Sequence, residues 1–476
     1  MEIFSDHPGD EGLPGRERGL AMAAVMTTTT MVVFDGAIVN IALPLIARAL
    51  EVPAAAAVWV ANGYLLSAAM TLAIFAALAT RLGFRRLYAA GLSLFTLASL
   101  GCALSSSLEM LIMMRLLQGI GGAATLSIAP AILRLIFPGR LLGRILGLNA
   151  LLIATCTAIA PLCGGTLLAA LGWQWLFAIN IPLGIIALVL TLRVIPAHRV
   201  HTQKPFDIAG AFLSAVMLGA LVMVAEACSQ PKGGMVALAY GFIAVIAVPA
   251  FIRRQRRAAD PLLPLEMFTS SRFSLAALTS LASFISQGIT FIALPFLFQS
   301  VYGYSVFVSA LLFTPWPVGI VLAAPWAGRF ADRYPPAILS TLGLGLFTLG
   351  VALLAQLPDH PQVWDICLRS LLCGIGFGCF QSPNNREMLS NVARQHSGYA
   401  SGVLAIVRTF GQCLGAALVG IMLSLYALPA DNMTTGLARE AEAVRLSLWL
   451  AVGATALAVI FSSSRIRGAV QCQTEK

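Results

Sequence analysis

Charge is what this chain has least of. Asp, Glu, Lys and Arg together make up 11% of its 476 residues, about half the share of an ordinary soluble domain. Cysteine offers no framework: the nine residues form an odd set with no CxxC spacing, which argues against both a disulfide scaffold and a zinc site. No GxxxxGK[ST] stretch occurs and no polar segment is long enough to hold a nucleotide fold, so ATP-driven work is not indicated. The N-terminal residues 1–19 are acidic and rich in Pro and Gly, without a basic segment leading into a short apolar core. They are expected to be a cytoplasmic tail rather than a cleaved signal.

What is abundant is apolar sequence. Hydrophobic residues reach 59%, and they come in repeated runs of roughly 20, the length that crosses a bilayer as a helix. The runs lack the alternation of barrel strands, and backbone groups in lipid need internal partners, so the expected fold class is an all-α polytopic membrane protein. Fourteen such spans can be placed between residues 20 and 463. The basic residues cluster in alternate connections, among them Arg81/Arg85/Arg86, Arg134/Arg140/Arg144 and Arg253/Arg254/Arg256/Arg257. This asymmetry places those connections and both termini on the cytoplasmic side. It also explains the net charge of +10 without nucleic acid.

The spans divide as an N-terminal six-helix half at 20–194, two inserted spans at 207–252, a basic linker at 253–272 and a C-terminal six-helix half at 273–463, with a tail at 464–476. An echo links the halves. The second span ends in Arg81-Leu82-Gly83-Phe84-Arg85, and the tenth in Gly328-Arg329-Phe330-Ala331-Asp332-Arg333. Repeated halves around a midplane site are a common construction of secondary transporters.

Within this apolar background a few polar side chains stand out. Asp35 is the only charge between Leu20 and Leu45, and an ionisable group at that depth marks a proton or cation site. On the helical rise it lies roughly 14 Å from the outer end near Pro44, while Arg115 lies roughly 9 Å in from Glu109. The two depths allow an ion pair, either a fixed bridge between helices or a pair that switches as burial and charge compete over the carboxylate. Gln118, one turn deeper, suits a cavity hydrogen bond or a helix–helix bond equally. Arg408, mid-span, has no acidic partner in sequence and can serve helix carbonyls or the cavity. Gln287 and Phe291 complete the candidate substrate-cavity set, with Asp35, Gln118 and Arg408. The five histidines, His7, His198, His201, His360 and His396, all fall in tails or loops, which disfavours a histidine proton relay.

Three segments resemble one family. They are Phe34-Asp35-Gly36-Ala37-Ile38-Val39-Asn40-Ile41-Ala42-Leu43-Pro44, Arg115-Leu116-Leu117-Gln118-Gly119-Ile120-Gly121-Gly122, and Trp173-Gln174-Trp175-Leu176-Phe177-Ala178-Ile179-Asn180-Ile181-Pro182-Leu183-Gly184. The chain is similar along nearly its whole length to the major facilitator superfamily, in its fourteen-span drug/proton antiporter branch of the quaternary-ammonium resistance type. It departs from the family pattern at Ala37, Ala76, Thr80, Cys156 and Ala160.

The resemblance implies proton-coupled export of lipophilic, cationic compounds by alternating access, with the proton gradient in place of any cofactor and no enzymatic step. Asp35 carries the proton and Arg115 tunes it. Arg81, Gly83, Arg85, Gly328, Asp332 and Arg333 form gates. Pro161, Gly164 and Gly165 serve as a hinge or as tight packing. The implied setting is the bacterial inner membrane, with lipid, protons and a small-molecule substrate as partners, no nucleic acid, no metal, and a monomeric chain. The same fold exporting a native metabolite, such as an amino acid, a siderophore or a sugar, is the alternative.

Overall fold

A computed structural model describes residues 12–197, 206–229, 233–258, 261–331, 333–392, 397–426 and 433–474. Among these, fourteen helices are long and apolar enough to cross a membrane. We number them α1 (Gly15–Ala49), α2 (Ala54–Leu82), α3 (Phe84–Ala103), α4 (Leu108–Ile136), α5 (Gly139–Leu171), α6 (Gln174–Val194), α7 (Ile208–Ser229), α8 (Gly234–Arg257), α9 (Ser271–Val301), α10 (Val306–Phe330), α11 (Pro336–Ala355), α12 (Val363–Ser390), α13 (Ser397–Tyr426) and α14 (Met433–Thr474). The chain is a multi-pass membrane protein. Its spans are apolar all round, because lipid on one face and protein on the other both reward apolar side chains.

Punctuation between spans follows local chemistry. Ser107, Ser270 and Ser305 each cap a helix by accepting a backbone N–H three residues on, which satisfies a donor the helix cannot. Gly83 stands at φ +91° between α2 and α3, a backbone state that side-chain-bearing residues rarely adopt. That turn is what lets α3 start two residues after α2 ends.

Packing repeats with an offset of eight helices. In the first half α1 packs on α5 and α6, α4 on α2 and α3, and α3 on α6. In the second half α9 packs on α13 and α14, α12 on α10 and α11, and α11 on α14. The halves meet through α2 with α13 and α5 with α10, contacts that the same offset exchanges. The inserted hairpin α7–α8 leans through α7 on α2 and α13, outside the two six-helix bundles.

Association in lipid relies on close approach rather than on the hydrophobic effect, and small residues permit it. A Cβ on Gly119 would sit 2.3 Å from the Tyr64 carbonyl oxygen, and one on Gly121 2.6 Å from that of Gly91. α4 is thus pressed backbone-to-backbone against α2 and α3. In the second half Gly374 and Gly376 on α12 bring it equally close to Trp316 and Phe347.

The two ends of the bundle differ. At the end away from the basic connections, a single apolar core joins Ile38, Ile41 and Phe177 of the first half to Phe296, Leu312 and Trp316 of the second. Gln299 Nε2 donates to the Ile41 carbonyl at 2.8 Å across the halves. At the basic end the halves separate around a cavity. The C-terminal region expected as a tail from residue 464 continues α14 as far as Thr474.

Candidate functional site

Asp35, on the middle of α1, is 3% exposed and still fully partnered. Its Oδ2 receives Arg115 Nη1 at 2.6 Å. Its Oδ1 receives Gln118 Nε2 and Asn180 Nδ2, each at 2.9 Å. Every one of these neighbours donates, which is the environment of an ionised carboxylate.

Arg115 is held on several sides. Its Nε donates to the Val60 carbonyl at 2.9 Å, and Nη1 also reaches Gln118 Oε1 at 2.6 Å. The guanidinium carbon lies 4.4 Å from the Tyr64 ring centre and 5.6 Å from that of Phe177, where the ring quadrupoles favour a cation. Gln118 Nε2 further donates to Ser99 Oγ at 2.8 Å. The network ties α1, α2, α3, α4 and α6 at one point. A buried charge pair is tolerable only when its remaining hydrogen-bonding capacity is met, and here Gln118 of α4, Asn180 of α6 and the Val60 carbonyl of α2 meet it, with Ser99 of α3 holding Gln118.

Beside this network lies a cavity of about 830 Å³. It runs from Asn40, Tyr64 and Phe291 at mid-span to Arg81, Arg134 and Tyr399 at the basic end. Arg115 belongs to its wall, whereas Asp35 does not. The expectation that Asp35 lines the substrate cavity is therefore corrected for this conformation, because Arg115 and Gln118 stand over its carboxylate. Gln118 itself is 0% exposed and serves the helix–helix bond.

The opposite wall comes from α9 and α13. Gln287, Phe284 and Phe291 share one face of α9, and Arg408 and Gln412 one face of α13; all five line the cavity. Gln412 Nε2 donates to Gln287 Oε1 at 2.9 Å. Phe291 continues into edge-to-face contacts with Phe313 and Trp316 at 4.9 and 5.4 Å between ring centres. Phe296, Phe298 and Trp316 are core rather than cavity rings.

The remaining candidates sort by position. Arg81 lines the basic-end mouth and lies 5.1 Å from the Phe206 ring centre, Gly83 makes the turn already described, and Arg85 is partly buried in the first turn of α3. A Cβ on Gly328 would stand 3.3 Å from Ser382 Oγ, which marks an α10–α12 contact. Arg333 is exposed, and Asp332 lies outside the described residues. Pro161 is buried within an unbroken α5. A Cβ on Gly164 would stand 3.0 Å from Ile38 of α1, and one on Gly165 2.5 Å from Ala310 of α10. These two glycines thus serve adjacent seams, one inside the half and one between halves.

Sequence reasoning assigned no role to Asn180, Ser99 or Gln412. Asn180 carried a legible signal, an amide within an apolar span. A second buried ion pair also went unpredicted: Arg465 Nη1 meets Glu387 Oε2 and Asn384 Oδ1, each at 2.8 Å, between α14 and α12. Neither ion-pair residue lines the cavity.

The comparisons with known proteins agree with this architecture. A model of the Major Facilitator Superfamily matches residues 25–416. The chain is 40% identical over 425 residues to the uncharacterized transporter YebQ of Escherichia coli (strain K12), covering 89% of this chain and 92% of the relative. It is 30% identical to the tetracenomycin C resistance and export protein of Streptomyces glaucescens, covering 88% and 78%, and 27% identical to the riboflavin transporter RibZ of Clostridioides difficile (strain 630), covering 84% and 87%. Among solved structures, a bacterial homolog of the human lysosomal transporter Spinster in an inward-facing, unoccupied conformation superposes with a TM-score of 0.68 over 94% of this chain and 96% of that one, at 16% identity. The family and these relatives are transporters and not enzymes, and the chain belongs to the Major Facilitator Superfamily.

Proposed function

We propose that the protein is a proton-coupled exporter of lipophilic small molecules that works by alternating access. The observation that carries this reading is the buried Asp35–Arg115 pair, with Arg115 in the wall of a cavity of about 830 Å³ and Asp35 directly behind it. Protonation of Asp35 removes the negative partner of Arg115 and turns an acceptor of three hydrogen bonds into a partial donor. The local network then has to rearrange, and Arg115 already borders the cavity. A substrate and a proton can in this way compete for one arrangement of α1 and α4.

The basic connections support a bacterial cytoplasmic membrane setting with both termini inside, so the cavity faces the cytoplasm in this form. Drug and antibiotic exporters among the relatives support the outward direction. The relative named as a riboflavin transporter supports the second reading, a native metabolite as cargo. The test is efflux from a pump-deficient host, comparing the native chain with Asp35→Asn over a substrate panel.

A further inference from the structure

The charge of the cavity wall points away from a cationic cargo. Its acidic lining among the described residues is Asp207 alone, and that carboxylate is already taken by Arg254 Nε at 2.8 Å. Asp35 is behind the wall and neutralised by Arg115. Arg408 is different. It sits mid-span on α13 and is partly buried in the cavity wall. No hydrogen-bond or ion-pair partner is found for it among the described residues, and its guanidinium carbon lies 6.0 Å from the centre of the Phe284 ring. A guanidinium in a low-dielectric setting is costly without an anion or acceptors.

We infer that Arg408 is the recognition residue for an anionic group on the substrate, and that the cavity takes amphipathic carboxylates whose apolar body lies on Phe291. The inference uses the proposed exporter reading only in treating this cavity as the substrate site. Arg presents a planar fork that matches a carboxylate with two parallel hydrogen bonds. One turn away on the same face, Gln412 with its partner Gln287 adds neutral polar groups that can orient the head without adding charge. The ring of Phe291 on the facing helix supplies an apolar, aromatic surface for the body, while Phe284, 2% exposed, backs the guanidinium. The volume suits a drug-sized molecule. A carboxylate leaving against an entering proton moves net charge, so its transport responds to membrane potential, whereas a monovalent cation exchanged one-for-one does not.

The experiment measures binding to the purified full-length chain at pH 7 with matched series built on naphthyl, biphenyl and dodecyl bodies. Each body carries a carboxylate, a primary amide or a trimethylammonium group. The carboxylates are expected to bind at least ~10-fold tighter than the amides, with the ammonium members weakest. Arg408→Gln should erase that preference and Arg408→Lys should keep part of it. The proposal is overturned if amide or ammonium members bind as tightly, if no carboxylate binds, or if Arg408→Gln leaves the preference intact. Should Arg408→Gln fail to fold, the wild-type ranking and Arg408→Lys decide. In Asp35→Asn the carboxylate preference should persist while proton coupling is lost; persistence of both sinks the exporter reading and spares this one.

Discussion

Asn180 Nδ2 donates to Asp35 Oδ1 at 2.9 Å, and the same oxygen receives Gln118 Nε2 from the other side. One carboxylate oxygen therefore joins α6 to α4 through α1. With Arg115 on the second oxygen, any change in the charge of Asp35 is felt at once by two neighbouring spans, α4 and α6.

Removing one member of the buried pair leaves the other uncompensated. Arg115→Met and Asp35→Leu should each lower stability by about 3 kcal/mol, while the double variant should lose less than the sum of the two. Thermal unfolding in detergent checks this through a double-mutant cycle. Strict additivity contradicts the pairing.

Asn180→Leu deletes a donor to the charged form of Asp35. Losing it leaves a buried carboxylate oxygen with one partner fewer, which should cost about 1–2 kcal/mol of stability, read by thermal unfolding in detergent. Asn180→Gln, which keeps an amide donor, should recover part of the loss. Unchanged stability in Asn180→Leu removes Asn180 from the network.

Gly165→Val places side-chain atoms where Ala310 Cβ already stands 2.5 Å from an ideal Cβ. It should wedge α5 from α10 and reduce the population closed at that end. Spin-label distances between α5 and α10 should lengthen, whereas Gly234→Val, at a glycine with no heavy atom within 4 Å, should leave them unchanged. Unchanged distances in Gly165→Val make that seam irrelevant to closure.

The Glu387–Arg465 pair should behave as a fastening between α12 and α14. Glu387→Gln retains an acceptor for Arg465, and Asn384 Oδ1 and Ser462 Oγ remain in place. A loss of about 1–2 kcal/mol in stability is expected, with transport per folded molecule retained. Loss of proton coupling in a stably folded Glu387→Gln places a second proton site in the C-terminal half.

Much of this fold was legible in the sequence because a membrane leaves a chain few options. Apolar runs of helix length fix the span number, and the echo of Arg81-Leu82-Gly83 in Gly328-Arg329 points to paired halves. The Asp35–Arg115 contact was legible too, since a mid-span charge needs a partner and helical rise puts the two at similar depth. What the sequence hid was the third dimension. Depth along a helix does not say which way a side chain turns, so Asp35 was expected in the cavity although Arg115 stands in front of it. Asn180 and Tyr64 join the pair through helix rotation and packing that no local pattern encodes. Arg465 looked like the start of a tail because charge normally ends a span. Here Glu387, 78 residues away in the chain, draws it inside.

The central claim is that Asp35 carries the coupling proton. Uncoupler-sensitive efflux of a compound panel from pump-deficient cells, at matched membrane levels of native chain and Asp35→Asn, tests it most directly. The account predicts that efflux of every transported compound falls to the background of cells without the protein. Asp35→Asn cells that still expel all of them in a gradient-dependent way contradict it.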